Sequence, residues 1–158
     1  MKLHLPTEED LKIAPMLRAA AKNVRLLAYQ PYSKYLVGAA IYTAGRRVFE
    51  GCNVECADYD GTHAEEAALA AMVVGGERSP AWLAVFGGLE GCEDPSSAPP
   101  CGKCRQKLME FSSLSGRDLR IFVDDPASGE LRIALLSELL PASFGPANIG
   151  VDLAKYRR

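Results

Sequence analysis

Short runs of strand-forming residues alternate with helical patterns along most of this chain, and this alternation limits the folds available to it. Residues 36–43 and 47–53 are rich in strand formers and flank a turn at residues 44–46, which predicts a β-hairpin. Further strands are predicted at 82–87, 119–124 and 131–136. Because strands separated by helices favour a sheet covered on both faces, we expect an α/β fold. Its predicted architecture is a three-layer α/β/α sandwich with a mixed five-stranded sheet.

Helical patterns precede or separate these strands. Thr7 followed by three acidic residues is typical of a helix start, while Pro15 indicates either a start near Ala14 or a kink. A second helix is predicted at 62–74, with Thr62 as its cap and Glu65 three residues later. A third is predicted at 101–111, after a proline-containing loop at 90–100, and a single helical turn at 137–140.

Length and charge restrict the organisation and the partners of the chain. Its 158 residues, 48% hydrophobic and 24% charged, are typical of one globular domain, which we expect to span residues 1–158. The net charge of −2 opposes binding to nucleic acid polymers. Apolar runs fall short of the roughly 20 residues that cross a bilayer, so we expect no membrane partner. The acidic N-terminal segment is unlike a signal peptide and predicts a cytoplasmic protein.

One histidine and two cysteines form a candidate metal site. His63 begins the helix predicted at 62–74, and Cys101 and Cys104 begin the next helix with a Cys-x-x-Cys spacing. One nitrogen and two sulfur ligands suit zinc, and three protein ligands leave its fourth position open, as in catalytic zinc sites. Helix starts favour negative charge and are expected to lower the thiol pKa values. A Cys-x-x-Cys pair taken alone is also common in structural sites.

Glu65 follows two residues after His63 and is a candidate proton carrier. A carboxylate beside an open metal position can take a proton from water and pass it to a substrate nitrogen. Zinc lowers the pKa of a bound water to about 7, which makes this chemistry available at neutral pH. The alternative is that Glu65 only completes a capping box with Thr62. The spacing H-x-E followed by P-C-x-x-C is that of the zinc deaminases.

Five sequence blocks, in order, resemble the cytidine deaminase family. They are PYSKYLVGAA at 31–40, GCNVE at 51–55, HAE at 63–65, PCGKCRQ at 100–106 and LLPASFGP at 139–146. The resemblance covers roughly residues 15–147. It implies zinc-dependent hydrolytic deamination of cytidine and deoxycytidine to the uridines, with one zinc ion per chain held by His63, Cys101 and Cys104, and Glu65 as the catalytic residue.

The same resemblance implies a set of nucleoside contacts. Asn53 and Glu55 correspond to the family residues that hold the ribose hydroxyls, and Tyr35 to the aromatic that lines the base pocket. The backbone at Ala64 and Cys101 corresponds to base contacts. Without the resemblance, Asn53 would more simply shape a strand end and Glu55 would be solvated.

The implied assembly is a homotetramer whose active sites lie at subunit borders. Phe144 corresponds to a phenylalanine supplied by a neighbouring subunit, and Tyr59 to a tyrosine near the shared site. Taken alone, Tyr35 and Phe144 would be read as core or interface aromatics.

Several residues depart from the family pattern. Single-domain tetrameric members usually carry Cys where this chain has His63, and many carry Arg where it has Glu66. Asp58 and Asp60 make the preceding loop acidic, which indicates either a solvated surface or a substrate with positive charge, such as blasticidin S. A zinc-stabilised nucleoside-binding module without turnover is a further alternative, which Glu65 opposes. A polynucleotide-editing deaminase is opposed by the net charge and by the lack of a basic, aromatic-rich stripe.

Overall fold

A computed structural model describes residues 1–156. The helices are α1 (Glu8–Val24), α2 (Ala64–Val74), α3 (Gly102–Ser115) and α4 (Leu136–Leu139), with short 3₁₀ segments at Arg25–Leu27, Pro146–Ile149 and Ala154–Tyr156. The strands are β1 (Tyr35–Thr43), β2 (Val48–Cys52), β3 (Pro80–Leu89), β4 (Ser96–Ser97), β5 (Arg120–Asp124) and β6 (Leu131–Leu135). In the part of the chain just given, none of the helices combines the length and the apolar character needed to cross a membrane.

Five strands form a mixed sheet in the order β2-β1-β3-β5-β6, which confirms the predicted fold class. β3 and β5 are parallel, and the other neighbours on this path are antiparallel. The two-residue strand β4 lies inside the segment predicted as a loop. It forms because β5 pairs only with Trp82 to Ala84, which leaves the later part of β3 free for Ser96 and Ser97.

The sheet separates two hydrophobic cores, because successive strand side chains point to opposite faces. Helix α1 covers one face, and α2 and α3 cover the other. The core under α1 contains Ala40, Ala84, Phe86, Phe122 and Ile133. The core under α2 and α3 contains Ala39, Ile41, Leu83, Val85, Ile121 and Val123. The three-layer arrangement follows directly from this alternation.

Helix α1 runs through Pro15 without ending, so the predicted start near Ala14 is wrong. Thr7 caps the helix: its hydroxyl accepts from the Asp10 backbone N–H at 3.3 Å, and the Asp10 carboxylate accepts from the Thr7 N–H at 2.7 Å. Pro15 cannot donate to the carbonyl four residues earlier, on Leu11. Both residues are exposed, so water can satisfy that carbonyl and the helix tolerates the proline.

Two glycines allow helices to approach the sheet closely. A Cβ on Gly38 of β1 would lie 2.6 Å from the Arg25 backbone nitrogen, and one on Gly51 of β2 would lie 2.6 Å from the Ala64 carbonyl oxygen. Distances this short are not tolerated by real Cβ atoms. Gly51 therefore allows the first turn of α2 to rest directly on β2, which places the candidate site at the edge of the sheet.

Candidate metal centre and active site

The N-cap of α2 lies one residue later than predicted, at His63 and not at Thr62, and this changes the assignment of the helix's glutamates. Thr62 cannot cap the helix because its backbone pairs with Val54, with N–H···O distances of 2.8 and 2.9 Å. His63 is the N-cap, and the Glu66 carboxylate accepts from the His63 backbone N–H at 3.1 Å. The predicted capping box of Thr62 and Glu65 is therefore wrong. Glu65 is left without a capping role.

The structure brings the three candidate metal ligands together. Nδ1 of His63 lies 3.4 Å from Sγ of Cys101 and 3.3 Å from Sγ of Cys104, and all three donor atoms lie within 4.8 Å of one another. Cys101 is the N-cap of α3 and Cys104 lies in its first turn. A tetrahedral zinc ion with bonds of about 2.0 Å to nitrogen and about 2.3 Å to sulfur requires an N···S separation of about 3.5 Å. The donor set therefore fits one zinc ion.

The Cys104 thiol contradicts the expectation that a helix start lowers the pKa. Burial raises the pKa of Cys104, and the nearby Glu65 and Cys101 side chains raise it further. The side chain is only 1% exposed, so water does little to stabilise a thiolate there. A bound divalent cation supplies the missing positive charge and favours the thiolate, which is the form that binds metal.

A cavity of about 440 Å³ opens beside these ligands. Its lining includes most of the predicted site residues, namely Asn53, Glu55, Tyr59, His63, Ala64, Glu65 and Cys101. Glu65 is only 6% exposed and is close enough to Cys104 to act on its thiol. The arrangement places a partly dehydrated carboxylate next to the metal ligands and on the wall of a pocket that can admit a small molecule.

The Asn53 side chain bridges two points on β1. Its Oδ1 accepts from the Val37 N–H at 2.7 Å, and its Nδ2 donates to the Tyr35 carbonyl at 2.9 Å. Asn53 therefore shapes the strand end, as its simpler interpretation holds. An amide of this kind still has one N–H and one lone pair for a ligand. The structural role and a substrate contact are thus compatible.

Glu55 is held in place by the segment before β1. Its Oε2 accepts from the backbone N–H groups of Tyr32 at 2.9 Å and Ser33 at 3.2 Å. The Ser33 side-chain hydrogen bond, with these backbone bonds and Lys34, lowers the pKa of Glu55. The carboxylate is therefore ionised at neutral pH. Both backbone N–H groups bind Oε2, so Oε1 has lone pairs that a ligand can use.

Tyr35 and Phe144 do not line this cavity within the described residues. The Tyr35 ring lies over Gly87 of β3, where a Cβ would lie 2.8 Å from its hydroxyl. Phe144 is 60% exposed, and its carbonyl accepts from Nε2 of Gln106 at 2.7 Å. The Tyr35 ring thus rests on its own sheet and the Phe144 side chain is largely exposed, and both lie outside the cavity.

Arg105 directly follows Cys104 in the PCGKCRQ block, and the sequence pattern alone does not indicate its role. Its Nε donates to the Pro100 carbonyl at 2.7 Å, and its Nη1 donates to the Leu139 carbonyl at 3.0 Å. These bonds fasten the residue before Cys101 to α4. The sequence signal for this role is a cation directly after a cysteine at a helix start. The backbone carbonyls that the cation contacts can be identified only in the three-dimensional structure.

The architecture and the donor set together define a zinc-dependent deaminase type of site. In agreement, residues 13–115 match the model of the cytidine and deoxycytidylate deaminase zinc-binding region. This match covers more than half of the chain and contains all three candidate ligands and Glu65. The chain belongs to the cytidine deaminase family.

Two bacterial relatives resemble the chain over nearly their whole length. It is 38% identical over 145 residues to a cytidine deaminase of Mycobacterium tuberculosis, covering 90% of this chain and 95% of the relative. It is 36% identical over 134 residues to one of Sporosarcina psychrophila, covering 84% and 92%. The crystal structure of cytidine deaminase from Burkholderia pseudomallei matches with a TM-score of 0.69 at 37% identity, covering 82% of this chain and 98% of that one.

Proposed function

We propose that the chain hydrolyses cytidine and deoxycytidine to uridine and deoxyuridine with release of ammonia, using one zinc ion. The observation that carries the proposal is the position of Glu65. It is buried, has no capping role, and shares a cavity with His63 and Cys101. The relatives named cytidine deaminase support the same reaction.

Glu65 performs the proton transfers in this proposal. When bound, zinc supplies Lewis-acid chemistry that makes water acidic enough to react near neutral pH. Glu65 takes a proton from the water that attacks C4 of the pyrimidine, and delivers it to ring nitrogen N3. It then takes the remaining proton from the hydroxyl group on C4 and delivers it to the exocyclic amino group. The bond from C4 to that nitrogen breaks, ammonia leaves, and the oxygen from water remains as the C4 carbonyl.

Asn53 and Glu55 are proposed to bind the sugar. The Asn53 amide has one N–H and one lone pair beyond its two bonds to β1, and Oε1 of Glu55 lies apart from the two backbone bonds to Oε2. A site built from such groups discriminates strongly, because an analogue without the matching hydroxyl leaves them unpaired. Tyr59 and the Ala64 backbone line the same cavity, which supports their proposed contact with the nucleoside.

The direct test is the loss of cytidine absorbance near pH 7, with zinc measured on the same sample. Conversion to uridine with about one zinc per chain supports the proposal. Full zinc occupancy without turnover of cytidine or deoxycytidine rejects the substrate while retaining the metal centre. Turnover that persists after complete zinc removal rejects the zinc-dependent reaction.

A second candidate substrate is a cytosine nucleoside with a cationic sugar substituent, such as blasticidin S. A cavity of about 330 Å³ adjoins the first and shares Glu55, Tyr59 and Gly61 with it. The rings of Tyr32 and Tyr59 lie 5.9 Å apart there, and its described lining residues include no cation. Aromatic faces and a carboxylate attract a cation. Parallel rates on cytidine, deoxycytidine and blasticidin S distinguish the candidates; turnover of blasticidin S alone rejects the first.

We infer further that the chain acts as one domain, in a homotetramer, and in the cytoplasm. Several apolar side chains are exposed in the single chain, including Leu26, Leu27, Tyr29 and Phe144. Exposed apolar surface of this kind is typical of an interface between copies.

The five cysteines are free, which suits a reducing compartment. Light scattering of the zinc-loaded protein tests the assembly, and a monomer would reject it. Exclusive recovery in a secreted fraction would reject the cytoplasmic assignment.

A further inference from the structure

Glu66 and Lys107 connect the two helices that carry the candidate metal ligands. Glu66 lies on α2, three residues after His63, and Lys107 lies on α3, three residues after Cys104. Oε1 of Glu66 is 2.6 Å from Nζ of Lys107. The Lys103 ammonium is a more distant second cation, at 3.6 Å from the same oxygen. The ion pair therefore links the helix that begins at the histidine ligand to the helix that begins at the cysteine ligands.

The two oxygens of Glu66 have separate partners. While Oε1 faces Lys107, Oε2 accepts from the backbone N–H of His63 at 3.1 Å. The Glu66 side chain thus connects the backbone of the candidate ligand His63 to Lys107 on α3. Because Glu66 contacts both the Lys107 ammonium and the His63 backbone, a movement of Lys107 is transmitted to His63 through this side chain.

Burial makes this pair sensitive to the loss of either member. The Glu66 side chain is 10% exposed, whereas that of Lys107 is 49% exposed. Removing the cation would leave a largely buried carboxylate without its nearest countercharge, so the carboxylate would move toward water or toward the more distant Lys103 ammonium. Either response disturbs the bond to His63.

We propose that Glu66 and Lys107 are positioning residues that hold His63 against Cys101 and Cys104 and thereby slow the release of zinc. Residues that fasten metal ligands typically change metal affinity 10- to 100-fold when they are mutated. The pair acts on the metal centre and not on the nucleoside. If the chain did not deaminate cytidine, the proposed effect of this pair on zinc release would therefore be unaffected.

The test is the rate at which zinc-loaded protein releases zinc to an excess of a coloured chelator, without substrate. Glu66→Gln keeps an acceptor for the His63 N–H but removes the charge, and Lys107→Met keeps the length but removes the cation. We expect each to accelerate release about tenfold, in line with the effect of other groups that orient metal ligands. The double variant should release zinc no faster than the faster single variant, since both changes break one contact. Lys107→Arg, which keeps the cation, should behave as the unchanged protein.

Arg18→Met is the matched control for a general loss of stability. Arg18 forms an ion pair of 2.7 Å with Asp124, between α1 and β5 on the opposite face of the sheet. This variant should lower the Tm without changing zinc release. Unchanged release in Lys107→Met, additive effects in the double variant, or equal acceleration by Arg18→Met would each overturn the proposal. Lys107 is half exposed, so the test remains available if Glu66→Gln fails to fold.

Discussion

The Asp10 carboxylate receives two hydrogen bonds from the Arg120 guanidinium, Nε to Oδ1 at 2.7 Å and Nη2 to Oδ2 at 2.6 Å. Nε1 of Trp82 donates to the same carboxylate at 2.8 Å. Asp10 is completely buried, so these contacts fasten the start of α1 to β3 and β5 without help from water. In the layer opposite the metal centre, one buried anion therefore anchors the start of α1 to the sheet.

This arrangement predicts that the Asp10 carboxylate contributes to the free energy of unfolding and that this contribution is lost in acid. Burial raises the pKa of Asp10, but hydrogen bonds from Arg120, Trp82 and Thr7 outweigh it and lower the pKa to about 2, from 3.8. Because the folded-state pKa is depressed, the contribution is fully present above about pH 4 and is lost as the pH falls toward 2. A shift of this size corresponds to about 2 kcal/mol.

Urea unfolding of the Asp10→Asn variant tests this contribution to the free energy of unfolding. At pH 7 we expect the variant to lose about 3 kcal/mol of unfolding free energy, since one partner of a buried ion pair is removed. The gap between the two proteins should narrow as the pH falls from 5 to about 2.5. A gap that stays constant over this range would contradict the assignment.

Replacement of Glu65 by glutamine should separate metal binding from catalysis. Glu65→Gln keeps the volume of the side chain but cannot carry a proton, so we expect zinc content to persist while kcat falls about 10²- to 10⁴-fold. The measurements are zinc per chain and the rate of cytidine deamination. Glu110→Gln, an exposed change on α3, is the control and should retain both. Normal activity in Glu65→Gln would remove Glu65 from the proton-transfer role.

The two histidines of the chain allow a matched test of the ligand assignment. His63→Ala removes the only nitrogen donor of the candidate set, so both zinc and activity should be lost. His4 instead contacts Glu138, with Nε2 to Oε2 at 2.8 Å, and His4→Ala should keep zinc and activity. Zinc content by atomic absorption decides between them. Full occupancy in His63→Ala would exclude His63 as a ligand.

The order of helices and strands and the grouping of His63, Cys101 and Cys104 could be predicted from sequence because they rest on local patterns. Strand alternation is local, and so is the Cys101-x-x-Cys104 spacing. The start of α2 was misplaced because the backbone pairing of Thr62 with Val54 is a contact across a loop. β4 was missed for the same reason, since Ser96 and Ser97 are strand residues only through β3. Tyr35 and Phe144 lie outside the cavity beside the candidate metal ligands, and the lining of that cavity also depends on packing between distant segments.

Gly51 should be more sensitive to substitution than a glycine located between two metal ligands. A Cβ at Gly51 would collide with the backbone of Ala64 and Ala68, in the first turns of α2. Gly51→Ala should therefore push α2 away from β2, displace His63, and lower both the Tm and the zinc content. Gly102 lies between Cys101 and Cys104, but a Cβ there has no heavy atom within 4 Å.

Gly102→Ala should accordingly leave the Tm and the zinc content unchanged. Thermal unfolding and zinc content, measured on both variants, check this contrast. Equal losses in the two variants would mean that proximity to the ligands, and not the close approach of β2 to α2, determines sensitivity. An unaffected Gly51→Ala would mean that α2 can shift without moving His63, so that the contact between β2 and α2 would not set the position of the metal ligand.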